Sequence, residues 1–402
     1  MADNILSFTR VVRAPAAEVY RAFTTSTAWR EWLTDVAFAT PRKAGRLYLG
    51  WNTGYYASGE YTLATPGKKV GFTWQGRGEP AATRVQVTLK EKNGATTVTL
   101  THSGLGRGAA WAKAAKAIAA GWEIGLENLQ SVLETGQDLR FTLRPMLGIM
   151  VSDENNAEHA AAWGLPVEYG LRLGSVVPGM GAEAAGLRGG DVVISLAGKK
   201  VIGFGGLAVA LQGRRAGQAV PVVFYRDGQK QTVTMTLSGR PIPPIPATAA
   251  ELAEALRRLY AESDAQLAAG FAGVGEAEAA RRPAPGEWSA KDVLAHLLIG
   301  ERDAHAFIVE TLQGNDRQYD GGFDNSDLRT RVVADAYPTY QAMLDELKRL
   351  EGEAVALAAG LPADFVARPA VYWRTAYGWL QSPTHITEHL AQIRAAIAAS
   401  RS

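Results

Sequence analysis

Between residues 239 and 246 the chain reads Gly239-Arg240-Pro241-Ile242-Pro243-Pro244-Ile245-Pro246. Each proline lacks the amide proton that a ladder needs and fixes φ near −65°, so the octet can neither continue a sheet nor nucleate a helix. It must run extended and semi-rigid. The octet divides the 402 residues into stretches of different periodicity. Before it, short apolar runs alternate with Gly-rich turns; after it, the pattern is helical almost throughout. A chain of this length exceeds one ordinary core. A further change of texture near residue 138 sets the expected domains at 1–138, 139–240 and 248–402, with 241–247 as linker. The expected fold class is multidomain α+β.

Composition narrows the chemistry. There is no cysteine, which excludes disulfides, thiolate metal sites and thiol nucleophiles, so any metal site must use His, Asp or Glu. The net charge is +2, and the basic clusters are pairs such as Lys68-Lys69, Lys199-Lys200 and Arg214-Arg215. That is no footprint for nucleic acid or an anionic membrane. The sequence Met1-Ala2-Asp3-Asn4-Ile5 lacks the basic and apolar regions of a signal peptide, and no apolar run is long enough to span a bilayer. The expectation is a soluble cytoplasmic protein.

In the first third, Ile5–Val12 reads as a strand and Pro15–Thr24 as a helix. Strand-like runs follow at Arg46–Trp51, Gly59–Leu63, Lys69–Trp74, Arg84–Leu89 and Thr96–His102, with a hairpin signal at Lys92-Asn93-Gly94. A long helical pattern from Ala109 to Leu133 closes the segment, its stripe running through Trp122, Leu126, Leu129 and Leu133. This order makes a helix-grip arrangement, a curved antiparallel sheet gripping one long helix, with room for an apolar cavity between them. The segments Ala14-Pro15-Ala16-Ala17-Glu18-Val19-Tyr20, Gly59-Glu60-Tyr61, Phe72-Thr73-Trp74, Thr101-His102-Ser103-Gly104 and Gly121-Trp122 resemble the START-related SRPBCC superfamily. Within it the chain is most similar to the activator of heat-shock-protein-90 ATPase. Trp29, Trp32, Trp51, Tyr55, Tyr56 and Trp74 are the candidate aromatics of a cavity for a small apolar ligand, with Trp51, Tyr56 and Trp74 its nominated lining. His102 reads as a packed or hydrogen-bonded strand histidine.

In the middle, Gly179–Gly190 gives a brief glycine-ended helix, followed by Asp191 and an apolar strand to Leu196. This resembles a bacterial-type PDZ domain, a small β-barrel or sandwich. The resemblance implies that Met146-Leu147-Gly148-Ile149 receives the C-terminal carboxylate of a partner's peptide on successive backbone N–H groups. The peptide would add as a strand beside Ile149-Met150-Val151, with Leu207 and Leu211 flanking its side-chain pocket. Such modules accompany serine proteases, but no Gly-x-Ser-x-Gly nucleophile motif occurs here. His159 falls in the Ser152–Gly170 insertion and reads as an exposed polar residue.

The last part reads as helices over Thr248–Gly270, Ser289–Thr311, Asp327–Gly360 (interrupted near Pro338) and Pro383–Ala399, a four-helix bundle by count and length. His385 and His389, four apart, stand one above the other on one helix face. Ser289 and Asp292 read as a capping box one turn before His296. Three histidines from two helices would leave a metal with open positions, the pattern of a reactive site. Gly286-Glu287-Trp288-Ser289 with His296-Leu297, the His385/His389 pair and Gln392 resemble the DinB family of metal-binding bundles. The resemblance implies His296, His385 and His389 as ligands of a divalent transition metal (Zn, Ni or Fe). Asp303 is a candidate to orient a ligand, Glu388 a candidate acid/base group, and His305 has no role.

Two functions fit. One is a ligand-, peptide- and metal-binding stress-response or detoxification protein, acting through the bundle as a metal-dependent transferase of small thiols or as a hydrolase. The other is a non-enzymatic adaptor or chaperone accessory with an apolar cavity, a peptide groove and a structural metal.

Overall fold

A computed structural model describes residues 4–284, 287–313 and 327–401, the side chains of Thr384 and Glu388 excepted. The N-terminal elements are β1 (Asn4–Val12), α1 (Ala16–Ala22), α2 (Ser26–Trp32), β2 (Val36–Ala39), β3 (Arg46–Gly50), β4 (Tyr56–Thr65), β5 (Lys69–Gly76), β6 (Thr83–Lys92), β7 (Ala95–Leu105) and α3 (Ala109–Thr135). The strands form one antiparallel sheet in the order β1-β7-β6-β5-β4-β3-β2. Asn93 and Gly94 both take positive φ (53° and 74°) between paired Lys92 and Ala95. This is the two-residue turn that matches strand twist. The helix expected over Pro15–Thr24 is α1; the second short helix, α2, was not expected, and it starts where Thr25 accepts from the Ala28 N–H. The four-residue β2 was too short to read.

Inward-facing side chains of the sheet meet Trp122, Leu126 and Leu129 of α3 in one core. Trp29 and Trp32 are 0% and 1% exposed, stacked at 5.3 Å and braced edge-on by Phe23. His102 is buried, with Trp122 Nε1 donating to its Nδ1 at 3.0 Å. Its ring proton therefore sits on Nε2 and is donated to Thr83 Oγ1 at 2.7 Å, and that hydroxyl donates to Trp74 O at 3.0 Å. Burial holds His102 neutral, its pKa lowered to about 4.

The middle elements are α4 (Leu139–Thr142), β8 (Ile149–Glu154), α5 (Ala157–Ala162), β9 (Leu171–Val176), α6 (Gly181–Ala184), β10 (Val192–Leu196), β11 (Lys199–Lys200), α7 (Gly203–Leu211), β12 (Ala219–Arg226) and β13 (Gln229–Thr236). The sheet runs β13-β12-β10-β9-β8, with β11 on β10 and β8 outermost. Gly186, with φ 75°, ends the short turn that follows α6, and buried Asp191 holds Arg226 through two bonds of 2.7 Å. One sheet face carries the main core. The other is covered by Trp163, Leu165, Val167 and Tyr169 of the insertion, over Val192, Ile194 and Tyr225.

The remaining helices are α8 (Ala249–Gly270), α9 (Glu276–Ala280), α10 (Ala290–Leu312), α11 (Asp327–Ala336), α12 (Tyr340–Ala359), α13 (Ala363–Val366) and α14 (Pro369–Ser400). Thr248 and Ser289 cap α8 and α10 with reciprocal capping boxes. The last helix corrects the sequence reading. Pro369, not Pro383, opens α14, and Pro383 lies in its interior. A proline there removes one amide donor and crowds the carbonyl of Trp379, yet the helix runs on because Trp379, Leu380, Ile386 and Leu390 share one buried stripe.

By packing, residues Met1–Gln137 and Pro243–Ser402 form one compact unit and Asp138–Ile242 a second. Within the first unit α3 meets α14: Ala370 belongs to the core of the N-terminal sheet. At Gly136, φ is +80° and a Cβ would strike Trp373 and the Pro369 carbonyl.

Candidate metal centre

The site begins at Ser289, whose hydroxyl accepts from the Asp292 N–H at 3.0 Å. Asp292 accepts in return from Ser289 N at 2.9 Å and from the Arg282 guanidinium, which fixes the start of α10. Two turns on, His296 leaves α10 toward α14, and the Trp288 ring stands 5.3 Å from it. His385 and His389 point back from α14. His296 Nε2 lies 3.2 Å from His385 Nε2, and His389 Nε2 lies 3.1 Å from the same atom. Two nitrogens bound to one ion at about 2.0–2.1 Å, at octahedral or tetrahedral angles, stand roughly 2.9–3.4 Å apart. Both separations from His385 fall in that range, and the three ligand atoms all lie within 4.8 Å of one another. Among the described residues this is the cluster whose ligand atoms could share an ion.

The electrostatics suit a cation. Burial, then the neighbouring His389 and His296, lower the His385 pKa to about 4, which keeps its lone pair free. The ring of His389 is oriented by Gln392, whose Oε1 lies 2.8 Å from Nδ1. A carbonyl oxygen can only accept, so Nδ1 carries the proton and Nε2 faces the cluster.

Other candidates stand elsewhere. Asp303 shares the helical face of His296 but is held by both Arg329 nitrogens, at 2.8 and 2.7 Å, so it does not turn to the triad. His305 Nδ1 lies 3.8 Å from a Glu353 carboxylate oxygen. Gly286 and the Glu388 side chain lie outside the described residues. Tyr56 is on the outer face of the sheet, stacked on Tyr48, opposite the inward Trp74. It therefore cannot line one cavity with Trp51 and Trp74. Those two are 6.5 Å apart, and Trp51 Nε1 donates to Leu33 O at 2.7 Å. His159 is not simply exposed: its ring stacks on Trp163 at 4.6 Å and its Nδ1 bonds Glu154 O.

In the middle unit the Met146 N–H bonds Ser238 O at 2.9 Å, which removes it from a carboxylate-binding set. Leu147 is buried, and Gly148 takes φ +76° against Met180, where a Cβ has no room. Ile149, Val151, Leu207 and Leu211 are half-buried at the margin of one core, and Met150 is exposed.

Sequence reasoning missed a second polar group inside the bundle. Glu301 of α10 is buried and accepts from Ser382 Oγ of α14 and from Tyr260 OH of α8 at 3.3 Å. Glu351 of α12 is buried beside Asp264 of α8. A signal was present: Leu344, Leu347, Glu351, Ala354 and Ala358 recur at helical spacing, with an acid standing where the stripe calls for an apolar residue.

Comparison with known proteins assigns each region. Residues 13–134 match the family described as activator of Hsp90 ATPase homolog 1-like protein. Residues 145–237 match the PDZ domain, and residues 260–393 match the DinB superfamily. A curated relative, a probable periplasmic serine endoprotease DegP-like from Marinomonas, is 36% identical over 101 residues, 25% of this chain and 21% of that protein. The periplasmic pH-dependent serine endoprotease DegQ of Escherichia coli is 34% identical over 94 residues, 23% of this chain and 20% of that protein. The chain thus spans about a fifth of the length of these relatives. Similar solved structures include the Aha1 dimer from Colwellia psychrerythraea, 21% identical, covering 33% of this chain and 96% of that one at a TM-score of 0.29. Protein MLL2253 from Mesorhizobium loti is another, 22% identical, covering 32% and 96% at 0.30. No helix among the described residues is long and apolar enough to cross a membrane.

Proposed function

We propose that this chain, which joins an Hsp90-ATPase-activator-like domain, a PDZ domain and a DinB-superfamily domain in that order, binds one divalent transition metal in its bundle and acts there on small molecules. The reaction class is thiol transfer or hydrolysis, in a stress-response or detoxification role. The observation that carries this reading is the cluster of His296, His385 and His389, whose ligand atoms lie within 4.8 Å of one another, with the His296 and His389 Nε2 atoms 3.2 and 3.1 Å from His385 Nε2. Three imidazole ligands suit Zn, Ni or Fe and leave further positions for water or substrate. A metal so held lowers the pKa of a coordinated water or thiol and makes it a nucleophile near neutral pH. The chain's own residues prepare the site. Gln392 fixes the His389 tautomer, the Ser289–Asp292 cap sets the register of α10, and Trp288 walls the His296 side.

A second reading has its own support. β8 is the outermost strand of the middle sheet, with Ile149, Val151, Leu207 and Leu211 along its margin. On it a partner's C-terminal peptide would add as a strand, and the chain would serve as an adaptor or chaperone accessory with a structural metal. The compartment belongs to the proposal too: cytoplasmic on the sequence reading, against the periplasmic names of the protease relatives. Cell fractionation separates the two.

The first test is metal content of the untagged protein, beside a His296→Ala/His385→Ala variant. About one equivalent of transition metal in the parent and none in the variant is the expected result. A parent that stays empty after exposure to Zn, Ni and Fe ends the metal reading and the enzyme with it.

A further inference from the structure

We propose that the peptide groove of the middle unit selects its partner by charge: Glu154, at the end of β8, takes a Lys or Arg standing fifth from the peptide's C-terminus. The proposal rests on the peptide-binding reading of β8 given above. It starts from the strand register. β8 and β9 pair Ile149 with Val176 and Val151 with Leu173, then Asp153 with Arg172 and Glu154 with Leu171. The pairing passes over Ser152, so β8 bulges there. Residues directly opposite in an antiparallel pair point to the same face, and Leu171 and Leu173 both belong to the main core. Glu154 therefore shares the face of Ile149 and Val151. In an unbroken strand that place would fall to Asp153. Here Asp153 goes with Arg172 to the other face, where the Arg172 guanidinium lies 4.7 Å from the Trp163 ring.

A contact across the groove agrees with this. Glu154 Oε1 accepts from the Phe204 N–H at 3.1 Å, at the start of α7. Gly203 makes room for it: φ is +57°, and a Cβ there would come within 3.0 and 3.1 Å of the two carboxylate oxygens. Leu207 and Leu211 of the same helix pack with Ile149 and Val151. Along the groove the side chains of β8 thus run apolar, apolar, acidic. The carboxylate keeps capacity for a second partner. Glu154 is exposed, its bond from Phe204 uses one oxygen, and it makes no ion pair among the described residues. The cations nearby are turned to rings, Arg172 to Trp163 and Lys200 to Tyr169, with Lys200 Nζ 3.6 Å from the ring centre.

The position in the peptide follows from geometry. With its carboxylate at the loop that precedes β8, the peptide runs antiparallel to β8. Its side chains alternate, so the last, third-from-last and fifth-from-last residues face the groove. The first two meet Ile149 and Val151, with Leu207 and Leu211 beside them. Four residues along β8 from Ile149 would be Asp153, but the extra residue at the bulge brings Glu154 to that place. Cross-strand neighbours stand about 4.5–5.5 Å apart at Cβ, within reach of a Lys or Arg side chain. The chain as a whole carries a net charge of +2, which would favour an acidic peptide. A preference for a basic residue at one position is thus the mark of the local acid.

The test is fluorescence anisotropy on the full chain at low salt, with synthetic peptides that end in the same free-acid valine and carry Val third from the end. They differ only in having Lys or Glu fifth from the end. The Lys peptide should bind about fivefold tighter than the Glu peptide, the scale of one exposed charge pair gained or opposed. The gap should close to less than about twofold in Glu154→Gln, whose amide oxygen still accepts from Phe204, and likewise at high salt. Moving the Lys to the fourth position, where its side chain faces away from the groove, should abolish the gain. Equal binding of the Lys and Glu peptides, a gain that follows Lys to the fourth position, or an unchanged gap in Glu154→Gln overturns charge selection and leaves the peptide reading standing. No binding by either free-acid peptide, or equal binding of a C-terminally amidated one, ends the peptide reading and this proposal with it. Should the variant not fold, the parent's response to moving the Lys decides.

Discussion

Gln392 shows how one side chain outside the histidine triad shapes a candidate metal site. Its carbonyl oxygen accepts a hydrogen bond from His389 Nδ1 at 2.8 Å, so the lone pair on Nε2 faces His385. Without that acceptor the ring is free to turn and to change tautomer. Gln392→Leu should therefore weaken metal affinity about tenfold or more while leaving helix content unchanged. A chelator-competition titration measures the first and far-UV circular dichroism the second. Unchanged affinity would show that packing alone sets the ring. The triad itself was legible because its information is local: two histidines four apart share a face, and His296 follows a readable cap. Asp303 misled for the complementary reason. Its helical phase relative to His296 is right, but its partner Arg329 comes from a different helix, and no local rule finds it. The acids of the core were harder to see, since a buried Glu and an exposed one are the same letter, and only the break that Glu351 makes in an apolar stripe marks one of them.

At the scale of elements, periodicity found nearly every long helix and strand, and the errors fell where tertiary contacts overrule local propensity. Pro383 has the chemistry of a helix start, yet a continuous apolar stripe from Trp379 to Leu390 carries α14 through it. Gly136 is the converse case, a glycine whose need is tertiary as well as local. It ends α3 in the left-handed region, and any Cβ there would meet Trp373 and Pro369 of α14. Gly136→Ala should cost about 2 kcal/mol, from the left-handed φ and the clash together, and lower Tm by several degrees. Thermal denaturation of the full chain checks this. A loss below about 0.5 kcal/mol would mean that the α3–α14 contact gives way easily.

For the whole molecule, sequence texture marks three modules, but packing gathers the first and last into one unit. The reason lies in α14. At 32 residues it extends about 48 Å, with Ala370 in the core of the N-terminal sheet and His385 and His389 in the bundle. An element that belongs to two cores transmits what happens in either. A ligand that binds only the folded state at about 100 times its Kd adds about 2.7 kcal/mol, roughly a hundredfold in amide protection where exchange requires that unit to open. One equivalent of zinc should therefore slow hydrogen exchange in α10 and α14, and also in the last turns of α3, which share a core with α14. Residues Asp138–Ile242, which close their own core, should exchange at unchanged rates. Protection confined to the turns around the triad would instead mean that the bundle opens independently of the sheet, and that the shared helix joins two units rather than making one.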